Sequence, residues 1–129
     1  MAQAQDKLRE LAVRLTHATD AGRIKWRAGE ETHFLYSTRD SSVSIRSRDR
    51  DGVSPFVMEV FDEEGVPVER LTSVYFGEPE GPWDEGGEPA PWNAALEDLY
   101  AVSRRNALNI DKVLKSLIDS LDASDENPL

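Results

Sequence analysis

Ser42-Val43-Ser44-Ile45-Arg46-Ser47-Arg48 is followed by Asp49-Arg50-Asp51-Gly52, and soon after by Pro55-Phe56-Val57-Met58-Glu59-Val60-Phe61. Val43, Ile45 and Ser47 fall on one side of an extended chain, and Ser42, Ser44, Arg46 and Arg48 on the other. Phe56, Met58 and Val60 repeat the alternation after the turn. Asp-Gly tolerates the positive φ that a tight reversal needs, so the stretch predicts two antiparallel strands.

Working outward, the same period continues on both sides. Thr32 to Ser37 is rich in β-favouring residues and reads as a strand. Ile24 and Trp26 alternate with Arg23, Lys25 and Arg27, which predicts another, ended by a turn at Ala28-Gly29-Glu30-Glu31. Downstream, Asp62-Glu63-Glu64-Gly65 is a turn, and Val66 to Val74 reads as a last strand. Pro67 pushes that strand to a sheet edge. All connections are short, so four to five strands in sequential antiparallel order are expected.

Helices flank this meander. Leu8, Leu11, Ala12, Leu15 and Ala18 share one face of a helix expected from about Gln5 to Ala21, with Gly22 as its left-handed stop. A second helix is expected from Asn93, read as its N-cap. Its seam is Leu96, Leu99, Ser103, Ala107, Ile110, Leu114, Leu117 and Leu121. A continuous helix of that extent would be about 43 Å long, more than a small sheet covers. Either it breaks near Asn106–Asn109, with Asn109 capping a third helix, or its end projects to a partner. The fold class is therefore α+β: an N-terminal helix, an antiparallel β-meander and a long or kinked C-terminal helix packed on the sheet or the first helix. One domain is expected over residues 1–122, with a disordered tail over 123–129.

Gly22-Arg23-Ile24-Lys25-Trp26 and the helical stretch Leu96-Glu97-Asp98-Leu99-Tyr100-Ala101-Val102-Ser103-Arg104-Arg105-Asn106-Ala107 carry a resemblance. Together with the layout, they resemble small uncharacterised bacterial proteins over most of the chain. The resemblance implies the same order of elements and no particular activity.

Composition narrows the function. The chain has 129 residues, 15 Lys+Arg against 25 Asp+Glu, a net charge of −10 and no cysteine. Disulfide, thiolate and zinc-ribbon chemistry is thereby excluded. No apolar run is long enough for a membrane span, and the N-terminal stretch lacks the pattern of a secretory leader. The cytoplasm is the expected compartment, with no membrane partner. The acidic total disfavours nucleic acid. Charge is uneven: residues 23–50 carry seven basic and four acidic groups, and residues 51–129 carry five basic and eighteen acidic.

Residues 77–92 hold four glycines, four prolines and five acidic residues, the signature of a loop. Within it, Trp83 and Trp92 either pin the loop to the body or contact a partner. His17 and His33 show no metal-ligand spacing, and no nucleophile elbow, phosphate loop or dinucleotide fingerprint is present. No cofactor or metal is implied, and the expected protein is not an enzyme.

Three functions follow as expectations. The first is a protein–protein interaction module, binding a protein partner or a second copy through its helices and acidic loop. Leu114, Leu117 and Leu121 are its candidate contacts, with Trp83 and Trp92. The second is an acidic inhibitor of a basic, nucleic-acid-binding partner. The third is nucleic-acid binding by the sheet face that carries Arg46 and Arg48.

Overall fold

The structure, a computed structural model, describes residues 2–76 and 88–126. Its elements run α1 (Ala2–Asp20), β1 (Arg27–Glu30), β2 (His33–Ser37), β3 (Ser42–Ser47), β4 (Phe56–Phe61), β5 (Pro67–Thr72), β6 (Tyr75–Phe76), β7 (Glu88–Pro89), α2 (Asn93–Ala107) and α3 (Ile110–Glu126). β1 to β5 form one antiparallel meander in chain order, and β6 pairs with β7 as a separate ribbon. The α+β class expected from sequence is the class observed.

The meander's inner face is set by its alternation. Phe34 opposes Ile45, Ile45 opposes Met58 and Met58 opposes Leu71, and all four are buried. Leu8, Ala12 and Leu15 of α1 close over this face with Leu96, Leu99 and Tyr100 of α2. The rings of Phe56 and Tyr100 stack at 4.4 Å. This two-layer core is the physical reason that α1 and α2 form. Each is an amphipathic segment with one stripe to bury.

α1 ends as its sequence predicts. Gly22 has φ 72°, its N–H donates to the Thr19 carbonyl, and the Arg23 N–H donates to that of Ala18. That is a Schellman stop, which needs a left-handed residue at this position.

The structure corrects several local expectations. The segment 23–26 is not a strand, and β1 begins at Arg27 and runs through the stretch read as a turn. Its backbone is satisfied by a side chain instead: Asn106 accepts from the Trp26 N–H at 2.6 Å and donates to the Ile24 carbonyl at 3.2 Å. Asn93 does not cap α2, because it is itself the first helical residue. Its buried amide accepts from the Val74 N–H at 3.1 Å and donates to the Val74 carbonyl at 2.8 Å. Buried backbone groups need partners, and here both ends of α2 supply them through an asparagine.

The long seam resolves into two helices. α2 ends at Ala107, Leu108 caps it, and Asn109 takes φ 53°. Asn109 thus turns the chain and, as expected, stands at the N-cap position of α3, its carbonyl accepting from the Val113 N–H at 3.0 Å. Its side-chain oxygen accepts from Lys25 Nζ at 2.6 Å, and the same ammonium also reaches the Asn106 carbonyl. A cation at the C-terminus of a helix complements its dipole. α3 runs on to Glu126, past the end expected at residue 122.

Candidate interaction interface

α3 is where the sequence and the fold disagree about burial. Its apolar positions Val113, Leu114, Leu117, Ile118 and Leu121 all stand open, with Leu117 58% and Leu121 66% exposed. α1 and α2 bury their stripes in the core, whereas α3 touches the body chiefly through the end of α2. Arg105 of α2 bonds Asp111 in the first turn of α3, and Lys115 pairs with Asp119 at 2.8 Å along the helix. Ile110, Leu114, Leu117 and Leu121 recur at four, three and four residues, the spacing of a helix-pairing seam. Val113 and Ile118 widen that seam on either side. The sequence reading named Leu114, Leu117 and Leu121 and missed these two. Their signal was present, since Val113 stands four residues before Leu117 and Ile118 four after Leu114.

The five open side chains leave roughly 500 Å² of apolar surface per chain, a patch larger than scattered surface leucines produce. The break at Asn109 creates this situation. It turns α3 away from the direction that would lay its stripe over the core.

Other candidates lie elsewhere. Arg46 sits on the sheet face opposite the helices, 3.5 Å from Glu59, and Arg70 reaches the other Glu59 oxygen at 3.1 Å. Glu59 is buried between them. The two guanidinium groups thus serve a carboxylate of the same face. Arg48 is in the loop after β3 and pairs with Asp49 at 3.1 Å. The hydrogen bond and charge of Asp49 raise the Arg48 guanidinium above its ordinary value. Arg46 and Arg48 therefore do not form one row. Trp92 is half-buried on the core and donates from Nε1 to the Thr72 carbonyl at 2.8 Å, so it pins the loop's exit to the body. Trp83 lies outside the described residues, as does most of the acidic loop.

A cavity of about 510 Å³ lies between the β3–β4 loop and α2, lined by Gly52, Val53, Phe56, Tyr100 and Arg104 among others. Burial raises the Tyr100 phenol above its ordinary value, Arg104 opposes the rise and Asp51 adds to it. The phenol is therefore protonated at neutral pH and can donate a hydrogen bond but not act as a base. His17 is exposed, and His33 is half-buried with its Nε2 lacking a hydrogen-bond partner. Among the described residues, no cluster of three or more His, Asp or Glu could hold a metal ion, and no helix is long and apolar enough to cross a membrane.

Comparison with known proteins gives no match: no family model fits the chain, and neither a curated protein nor a solved structure resembles it significantly. The geometry of α3 is the feature from which a function can be argued.

Proposed function

We propose that this protein is a non-catalytic interaction module that self-associates through α3. The observation that carries this reading is the open apolar seam of Leu114, Leu117 and Leu121, flanked by Val113 and Ile118. A second copy is the simplest occupant because the seam is self-complementary under a twofold axis. Two seams facing each other would cover roughly 1,000 Å², the lower bound for a specific interface. A dimer of that size lies at the low end of specific interfaces, so its population should depend on protein concentration.

Sedimentation or light scattering over a concentration series tests it. The wild type should pass from monomer to dimer, and Leu117→Asp should remain monomeric because it buries a carboxylate in the seam. The near-UV signal of the body, from Trp26, Tyr100 and their neighbours, should be unchanged in the variant. A strictly monomeric wild type, or a Leu117→Asp protein that still dimerises, would remove α3 as the interface.

A further inference from the structure

The proposed dimer has a direction, which the charges along α3 set. From Ile110 to Leu117 the charged residues are Asp111, Lys112 and Lys115, a local balance of +1. Arg104 and Arg105 stand just ahead of them at the end of α2. From Ile118 to Glu126 the charged residues are Asp119, Asp122, Asp125 and Glu126, a local balance of −4 with no cation. α3 is thus a helix with a mildly basic first half and a strongly acidic second half.

We propose that two copies of the chain pair their α3 helices antiparallel, an inference that rests on α3 being the interface. In a parallel pair, the two acidic halves would lie side by side at the helix–helix spacing of about 8–10 Å, within a Debye length of one another. In an antiparallel pair, each acidic half faces the basic half of the other copy, and the helix dipoles oppose. The attraction acts between halves as a field and needs no individual ion pair. The seam fits the same arrangement. In an antiparallel coil, a positions pack on d positions, so Ile110 meets the partner's Leu121 and Leu114 meets the partner's Leu117. The twofold axis then passes near Lys115 and Ser116. α3 is about 25 Å long at 17 residues, so the two bodies sit at opposite ends of the pair instead of side by side. For a chain of net charge −10, that separation also lowers the repulsion between bodies.

Cysteine cross-linking reads the direction directly, because the chain has no cysteine of its own. Ile110→Cys and Leu121→Cys proteins are made separately, mixed and oxidised. The antiparallel pair predicts a disulfide-linked dimer in the mixture and none from either variant alone. A parallel pair predicts self-linking of each variant.

A charge swap between exposed positions away from the axis, Lys112→Asp with Asp122→Lys, gives a second readout that leaves the seam and the net charge intact. It should weaken the dimer several-fold if the pair is antiparallel, by setting acidic halves against each other, and tighten it if the pair is parallel. Self-linking of single variants, or a tighter swap variant, overturns the direction and leaves α3 as the interface. A wild type that stays monomeric at its highest soluble concentration overturns both.

Discussion

At Ile24 and Trp26, one side chain does what a neighbouring strand does elsewhere in the sheet. Asn106 offers a carbonyl and an amide to two backbone groups 80 and 82 residues away. The Asn106→Ala variant leaves a part-buried N–H and C=O without their partner. It should lose about 1–3 kcal/mol of stability, measured as a lower urea midpoint at unchanged slope. The same contact explains why 23–26 lies outside the sheet although its sequence alternates like a strand. Its alternation is real, with Trp26 buried in the core, but the hydrogen-bond partner comes from a distant helix and leaves no local signal. The Asp49–Gly52 turn was legible because its chemistry is local. Arg50 and Gly52 take φ 61° and 80°, and the Asp51 carboxylate accepts from the Val53 N–H and the Ser47 hydroxyl. The backbone bond from Val53, then the Ser47 bond, hold the Asp51 carboxyl below its ordinary value. A depressed carboxyl stabilises the fold above its unfolded pKa of about 3.9, and that contribution fades as pH falls through the lower folded value. The Asp51→Asn variant keeps an acceptor oxygen but loses the charge. Its melting temperature should lie below the wild type's at pH 7, and the gap should close as pH falls below the ordinary carboxylate range.

At the scale of elements, α3 is, among the described residues, the one helix that the core does not explain. A helix of 17 residues with few tertiary contacts is marginal in water, since nucleation is costly and propensity contributes little. Its helicity should therefore depend on protein concentration. Amide exchange of residues 113–122 should be fast in dilute protein and slow in concentrated protein. Exchange in β3 and β4 should not change with concentration. Equal protection of α3 at both concentrations would mean that something in the monomer holds it. The sequence displayed a periodic seam from Leu96 to Leu121 and also a break candidate, but not which side of the break would be buried. Ser103 and Leu114 carry the same spacing signal; one is fully buried and the other is open. Only the left-handed turn at Asn109 and its tie to Lys25 decide between them. That tie spans 84 residues and is invisible to a pattern read locally. The β6–β7 ribbon was missed for a different reason, since two residues per strand are too few to show a period.

On the scale of the whole molecule, the two acid-rich readings make opposite demands on salt. Two chains of net charge −10 repel at long range, while the seam proposed to join them is apolar. Added salt first screens charges more than a Debye length apart, about 10 Å at 0.1 M and about 30 Å at 0.01 M. The bodies at opposite ends of a pair fall in that class, and contacts within the seam do not. The attraction between the unlike halves of α3 is weakened as well, but it involves only part of each chain's charge. Self-association should therefore tighten as salt rises from about 0.01 M to about 0.15 M. Capture of a basic partner by the acidic surface would do the reverse, because unlike charges steer that encounter and salt screens them. Sedimentation at the two salt concentrations separates the cases. A dimer that strengthens with salt is held by Leu114, Leu117 and Leu121. One that dissolves on adding salt is held by charge, and the apolar seam would then need another occupant.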